Sequence, residues 1–279
     1  MRLFLLTALV MVAFAANSVL NRMAVGAGEI GAVEFALVRL AAGAIILLAL
    51  VFLRGGGWRR GSIAGVAGLT VYLFGFSLAY GQLDAGTGAL VLFGVVQMTM
   101  FAGALRAGEA VPARRWVGAG LALAGLAVLV APAGGAVMGF AAMAAAGVGW
   151  GVYSLAGRGA TDALAATAGN FTLALLPATL LALLLGAETG GATARGLWLA
   201  VVSGAVTSGL GYALWYAVLP ALGAGRAGVA QLTVPLIAAA GGAVLLGEAV
   251  GWRFAVAAAL VLGGVAWASW PRAASRGDG

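Results

Sequence analysis

Three aromatic side chains recur at a helical spacing inside an apolar stretch. Tyr72, Phe76 and Tyr80 are separated by four residues each, and this interval places them on one face of a helix. Pockets for small organic solutes are lined mainly by apolar and aromatic side chains, with a few polar groups that fix orientation. The spacing therefore predicts a face that contacts an apolar or aromatic solute.

Polar groups interrupt other apolar stretches. Asn17, Gln97 and Gln231 carry amides that can hold a zwitterion without a formal charge, and Trp150 and Tyr153 add hydrogen-bond donors. Polar groups in hydrocarbon usually face a cavity or a partner. A second interpretation stays open, because such amides also bond neighbouring helices for about 0.6 kcal/mol per contact, and aromatic residues near span ends anchor at the interface.

Arg39 is the one arginine placed well inside an apolar stretch. An unpaired charge at that depth costs roughly 2.5–3.5 kcal/mol. The side chain can reach towards the surface, pair with Glu34, or bind a carboxylate of a substrate. We therefore treat Arg39 as a candidate substrate-binding residue, beside a structural interpretation.

The missing residue types exclude several chemistries. The chain has no Cys and no His, and its net charge of +7 is carried by arginines alone. Thiolate nucleophiles, His-based acid–base catalysis and Cys/His metal sites are excluded, and we predict no enzyme, no metal and no cofactor. The carboxylates fall at or near the ends of apolar stretches, so the proton relays of pumps are not predicted.

The composition indicates that these side chains lie in a membrane and not in water. Hydrophobic residues make up 63% of the 279 residues, charged residues 8%, and the mean hydropathy is +1.10. A helix needs about 20 residues to cross a bilayer. The apolar stretches predict an all-α membrane protein with ten spans near 3–22, 33–53, 62–82, 85–105, 115–131, 137–157, 165–185, 196–218, 222–245 and 252–270.

Arginine positions predict the orientation of these spans. With a cytoplasmic N-terminus, eleven arginines fall in inside segments and three in outside segments. Positive residues prefer the cytoplasmic side, so both termini are predicted there. The first apolar stretch also resembles a signal peptide, but its sequence partner later in the chain, described next, favours a retained span.

Two short sequences recur in the same order. Gly108-Glu109-Ala110-Val111 returns as Gly247-Glu248-Ala249-Val250, and Ser18 to Arg22 matches Ser154 to Arg158 at an offset of 136. We predict a first five-helix repeat over 1–131, a connecting loop at 132–136, a second repeat over 137–271 and a cytoplasmic tail at 272–279. Because five is odd, the second repeat must be inverted, a design typical of secondary transporters with a midplane substrate site.

The repeat relates the predicted binding faces to each other. At the offset of 136, the face of Tyr72, Phe76 and Tyr80 maps onto Ser208, Tyr212 and Tyr216. Trp215, in the same span, is a further candidate substrate-binding residue. Two such faces around a central cavity would enclose a solute from opposite sides. Pro235, which follows polar Gln231, is the predicted hinge, since proline interrupts helical hydrogen bonding.

Taken together, these features resemble the drug/metabolite transporter superfamily, EamA type. The resemblance covers nearly the whole chain and rests on two sets of five spans, Gly108-Glu109 before the fifth, Gly247-Glu248 before the tenth, and Pro235 in the ninth. Within this superfamily the chain looks most like the YddG-type exporters of aromatic amino acids. The resemblance implies a multi-pass protein of the bacterial inner membrane with a central cavity lined by both halves.

We therefore predict a secondary exporter of small amphipathic metabolites, including aromatic amino acids, that works by alternating access. The alternative is a channel-like or uncoupled facilitator for other small solutes or hydrophobic cations. An intramembrane enzyme and a scaffold are less well supported, because reactive residues are missing and an inverted repeat is present. The expected partners are a small-molecule substrate and the lipid bilayer, without nucleic acid, in a monomer or weak homodimer.

Overall fold

The fold was analysed in a computed structural model, which describes residues 1–109, 112–130, 136–158, 160–185 and 191–269. Within these ranges the chain forms helices and no strand. Within these ranges, eight apolar helical stretches are long enough to cross a membrane, and two shorter ones, Ile63–Ala79 and Trp252–Ala268, accompany them. The prediction of an all-helical membrane protein is thereby confirmed. The arrangement of ten spans in two inverted repeats stays a prediction.

The helices begin and end close to most of the predicted spans. Their bounds are α1 Arg2–Val25, α2 Ala32–Leu53, α3 Ile63–Ala79, α4 Ala85–Arg106, α5 Ala113–Val130, α6 Val137–Gly157, α7 Ala163–Leu184, α8 Ala194–Val202, a π-helical segment Ser203–Leu210, α9 Gly211–Gln231, α10 Val234–Leu246 and α11 Trp252–Ser269. Most of the predicted connecting loop, 132–136, and the predicted tail, 272–279, lie outside the described residues.

One predicted boundary is wrong. The sequence predicted a break between 218 and 222, at Pro220, but α9 runs through that proline and the helix is interrupted at Leu232 and Thr233 instead. Proline removes one backbone donor, and helices inside a bundle tolerate this. Pro235 occupies the first turn of α10, where the missing N–H would have no helical partner.

The bundle has two ends, which loop contacts define. We call the end where α1 begins the near end and the other the far end. At the far end, the backbone N–H of Thr193 donates to the carbonyl oxygen of Glu29 at 2.8 Å. At the near end, Arg54 forms an ion pair with Asp162 at 2.5 Å. Helices of the first predicted repeat thus reach helices of the second at both ends.

Glycines let helices from the two predicted repeats approach closely. A Cβ on Gly149 of α6 would lie 2.6 Å from the carbonyl oxygen of Gly68 in α3, and one on Gly264 of α11 would lie 2.7 Å from that of Gly118 in α5. Such contact is shorter than side chains allow, so small residues are required at these crossings. The α3–α6 crossing carries two of the predicted site residues, Tyr72 and Trp150.

Large apolar side chains point outward. Leu183, Leu184 and Val244 are 73%, 84% and 82% exposed. A water-soluble surface rarely carries so many exposed apolar groups together, and hydrocarbon is the solvent in which they are stable. The polar and aromatic residues described below lie inside this apolar shell.

Candidate functional site

A cavity of about 540 Å³ extends from the bundle centre to the near end. Its deep part is formed by Trp150 and Tyr153 of α6 and by Tyr212, Trp215 and Tyr216 of α9. Gln97 of α4 and Gln231 of α9 also line it. Towards the near end the wall includes Glu109 and Arg158, whose side chains are about half exposed. The volume falls within the usual range for small-molecule sites.

Trp150 lies at the centre of an aromatic cluster. Its ring stacks on Tyr153 with centroids 5.1 Å apart, and lies 4.9 Å from Tyr72 and 5.3 Å from Tyr212. Phe76 continues the cluster at 5.3 Å from Tyr72. The two predicted aromatic faces, one on α3 and one on α9, are therefore joined through α6.

A second, much smaller pocket of about 20 Å³ lies on the other side of this cluster. Asn17, Tyr72 and Phe76 line it, and it shares Trp150 and Tyr212 with the large cavity. The cluster therefore separates the large cavity from the small pocket. A solute that enters from the near end meets Trp150 and Tyr212 as the floor of the cavity.

Arg39 is completely buried behind the small pocket. Its Nε donates to the Ser208 hydroxyl at 3.1 Å and its Nη2 to the Tyr72 hydroxyl at 2.9 Å. The guanidinium also lies over the Phe76 ring, 4.9 Å from the centroid. Nη1 has no hydrogen-bond partner among the described residues, and the ion pairs found there do not include the predicted pairing with Glu34.

Asn17 connects α1 to the π-helical segment. Its side-chain oxygen accepts hydrogen bonds from the hydroxyls of Ser203, Thr207 and Ser208 at 2.9, 2.5 and 3.3 Å. Since Ser208 also accepts from Arg39, a continuous polar chain runs from α1 to α3. A π turn in this position is typical of functional sites.

Hydroxyl groups also fix the aromatic residues of α6 and α9. The Tyr153 hydroxyl donates to Thr167 Oγ1 at 3.1 Å, and Thr167 donates to the Tyr216 hydroxyl at 3.2 Å. Thr167 lies on α7 and was not singled out by the sequence analysis. Its position five residues after the capping Asp162 gave no signal of this role.

An ion pair closes the far end. Arg22 Nε lies 2.9 Å from Glu248 Oε1, and Nη2 lies 3.6 Å from Asp84. Arg22 also donates to the carbonyl oxygen of Tyr80 at 3.0 Å, and the second carboxylate oxygen of Glu248 accepts from the N–H of Ala85 at 2.9 Å. The ends of α1 and α3, the start of α4 and the segment after α10 are thereby tied together.

The near end carries two ion pairs, one long and one short. Arg158 Nη1 lies 3.8 Å from Glu109 Oε1. Arg54 and the N–H of Ala165 both donate to Asp162, and this lowers the pKa of its carboxyl below the ordinary value of 3.8. Asp162 also caps the start of α7, so its charge serves both the helix and the loop contact.

The predicted site residues thus fall into groups. Those that line the large cavity are Gln97, Trp150, Tyr153, Tyr212, Trp215 and Gln231, and those that line only the small pocket are Asn17, Tyr72 and Phe76. Arg39 and Tyr80 line neither; Tyr80 is buried between Phe76 and Ala85. Pro235 lies at the helix break described above.

Phe14 is a further residue that sequence reasoning missed. Its ring meets Tyr212 and Trp215 edge-to-face at 5.7 and 5.8 Å. The signal was available, because Phe14 precedes Asn17 by three residues and so shares its helix face.

No cluster of three metal-ligating side chains occurs within the described part of the chain.

Known proteins share this sequence pattern and fold. The profile of the EamA-like transporter family matches residues 135–270. An uncharacterised protein of Pseudomonas aeruginosa is 46% identical, with 97% of this chain and 96% of the relative covered. A protein known from a crystal structure superposes with a TM-score of 0.64 at 23% identity, over 93% of this chain and 97% of that chain. At that identity the structural match shows the fold alone.

Proposed function

The chain belongs to the EamA-like transporter family, and from this we propose that it is a secondary exporter of small amphipathic metabolites, including aromatic amino acids. It works by alternating access at a midplane site between two inverted five-helix repeats. The protein resides in the bacterial inner membrane with both termini in the cytoplasm, so the near end is the cytoplasmic end.

The observation that carries this proposal is a cavity that is open at the near end and closed at its inner end by aromatic side chains. It reaches the near end past Glu109 and Arg158, and it stops at Trp150 and Tyr212. Beyond that floor lie the buried aromatic cluster and the Arg22 contacts at the far end. A channel needs a continuous path, whereas a carrier is open to one side at a time. The geometry therefore supports a carrier over a channel.

The lining favours a solute that combines an apolar ring with neutral polar contacts. Trp150, Tyr153 and Tyr212 offer ring faces, and Gln97 and Gln231 offer amide donors and acceptors. Glu109 is the sole carboxylate that lines the cavity within the described residues, and it lies at the near end. A net cation would therefore find no counter-charge in the deep part, which favours amino acids over hydrophobic cations.

Arg39 is the one fully buried cation among the described residues. Its hydrogen bonds go to neutral hydroxyls, and Nη1 has no partner among the described residues. A carboxylate that approached through Tyr72 would provide the missing counter-charge. We assign Arg39 the role of attracting the substrate carboxylate, with Tyr72 as the group between them.

Transport by the purified protein in proteoliposomes tests the proposal. The panel contains aromatic and aliphatic amino acids and hydrophobic organic cations, and counterflow is measured without a pH gradient and then with one. We expect counterflow of aromatic amino acids. Counterflow without a gradient would identify an uncoupled facilitator, and strict dependence on an imposed gradient would identify a coupled exporter.

Matched tryptophan variants link transport to the cavity. Trp150→Ala removes the ring at the floor, and the lost aromatic contact is expected to reduce transport by about tenfold or more. Trp198→Ala makes the same change on an outward side chain that is 67% exposed, and normal transport is expected. Equal loss in both variants, or no transport of any panel member, would contradict the proposed site.

A further inference from the structure

The sequence repeats of this chain meet in space as two ion pairs, one at each end of the bundle. At the far end, Arg22 pairs with Glu248. At the near end, Arg158 pairs with Glu109. Arg22 and Arg158 are matched by the offset of 136, and the two glutamates by the offset of 139. Each pair therefore joins the arginine of one half to the glutamate of the other.

The local structure around the glutamates is also matched. Gly108 and Gly247 precede them, with φ of 71° and 69°, a left-handed conformation that ends a helix and favours glycine. The N–H of Glu109 then donates to Ala104 and that of Glu248 to Gly242, at 3.0 and 3.2 Å. A left-handed glycine thus precedes the carboxylate at each end of the bundle, although the hydrogen bond of the glutamate N–H spans five residues at Glu109 and six at Glu248.

The two pairs differ in how tightly they are closed. Arg22 and Glu248 are 2.9 Å apart, with side chains 24% and 11% exposed, whereas Arg158 and Glu109 are 3.8 Å apart, with side chains 49% and 47% exposed. The far pair is reinforced by the backbone of Tyr80 and Ala85. The near pair lines the wall of the large cavity.

We propose that the two ion pairs are reciprocal gates of one transport cycle. Arg22–Glu248 holds the far end closed in the state described here. In the opposite state, Arg158–Glu109 takes up the short, shielded geometry and closes the near end, while Arg22–Glu248 separates. This inference rests on the proposed function, because it assigns the gates of the same alternating-access cycle.

Exchange of two equivalent halves explains why both pairs exist. If the repeats are related by an inverted two-fold axis, one state becomes the other when each half adopts the conformation of its partner. A pair that is closed at one end must then be open at the other. In any single state the two ion pairs must therefore differ, and they do, since Arg22–Glu248 is shorter and less exposed than Arg158–Glu109.

Cysteine accessibility can test the gates without any substrate. The chain has no Cys, so each introduced cysteine is the sole reactive thiol. Ser18→Cys places a reporter beside the small pocket, one turn before Arg22, and Ser154→Cys places the matched reporter in the large cavity, one turn before Arg158. Labelling with a membrane-impermeant thiol reagent is measured from each side of oriented vesicles.

Charge-neutralising variants should shift the two reporters in opposite directions. Glu248→Gln keeps an acceptor for the N–H of Ala85 and removes the nearer of the two carboxylate charges beside Arg22, leaving Asp84 at 3.6 Å. We expect about tenfold faster labelling of the Ser18 reporter from the far side, and slower labelling of the Ser154 reporter from the near side. Glu109→Gln should produce the reverse shift, because it weakens the near gate alone.

A matched control separates gating from a general loss of charge. Arg195→Gln breaks the exposed pair with Glu29, 3.2 Å apart at the far end, and should leave both reporters unchanged. If Glu248→Gln fails to fold, Arg22→Gln makes the same test from the other partner. Labelling rates that stay within about twofold of the parent, or that match those of Arg195→Gln, overturn the gates.

The labelling results also distinguish failure of the gates from failure of the proposed function. Opposite shifts in labelling without transport of any panel solute would support the gates and contradict the substrate assignment. Transport of aromatic amino acids with unchanged labelling would support the substrate assignment and overturn the gates.

Discussion

Replacing Gly149 with alanine tests the crossing that holds the aromatic cluster together. An added Cβ would lie 2.6 Å from the carbonyl oxygen of Gly68 and 2.7 Å from the backbone nitrogen of Tyr72, whereas ordinary contact begins at 3.4 Å. Because both neighbours are backbone atoms, α3 and α6 must separate by about 0.8 Å, the difference between 3.4 and 2.6 Å. Overpacking of this kind costs about 1–3 kcal/mol.

The same shift should reach the cavity floor. Tyr72 and Trp150 lie on the two helices that separate, with ring centroids 4.9 Å apart. We expect Gly149→Ala to lower the free energy of unfolding by about 1–3 kcal/mol and to reduce transport. Thermal unfolding of the purified protein in detergent and counterflow in proteoliposomes measure the two effects.

Gly120→Ala is the matched control, since a Cβ at Gly120 in α5 meets nothing within 4 Å. Alanine has the better helix propensity, so this variant should be unchanged or more stable by about 0.5–1 kcal/mol. Full stability and full transport in Gly149→Ala would refute the idea that this crossing positions the aromatic rings.

Three further predictions concern Arg39, Asn17 and Asp162. Arg39→Gln should abolish transport while the protein still folds, because relief of a buried charge, about 2.5–3.5 kcal/mol, offsets much of the loss of two hydrogen bonds, about 3–6 kcal/mol together; counterflow and size-exclusion chromatography measure this, and normal uptake contradicts it. Asn17→Ala should lower unfolding stability by about 1–3 kcal/mol, since three hydroxyls lose their common acceptor; an unchanged melting temperature would disprove this. The stabilising charge of Asp162 is present above pH 3.8 and lost as the pH falls through its lowered folded-state pKa; melting temperatures across that range should show a drop that Asp162→Asn lacks.

Local sequence patterns predicted most helices but not every helix end. Apolar length alone located α2 and α7 to within two residues of their observed starts, because crossing hydrocarbon demands a fixed number of apolar residues. The break at Leu232 was missed because the helix was expected to end at Pro220. A proline leaves the carbonyl one turn earlier without its N–H partner, and it ends the helix only where neighbouring helices do not satisfy that carbonyl. That condition depends on packing and is not written in the local sequence.

The helix faces of the aromatic residues were predicted more completely than the hydrogen-bond partners of the polar ones. Helical spacing correctly placed Tyr72 and Phe76 on a shared face, since periodicity fixes which side chains meet. It could not predict that Arg39 would bond Ser208, which is 169 residues away in the chain. Such a partner follows from how α2 packs on the π-helical segment, and no pattern within either segment encodes that contact.

Trp150 is the residue through which substrate binding can influence both halves of the bundle. It belongs to the second predicted repeat, yet its ring contacts Tyr72 of the first and Tyr212 of the second. A ligand shifts a conformational equilibrium only as far as it binds two states with different affinity. In the proposed alternating-access cycle the two halves move relative to each other, so contacts that cross between the halves differ between the two states. Under that proposal the Trp150–Tyr72 contact, which joins the two predicted repeats, changes, and a solute that packs on Trp150 is bound where the two states differ.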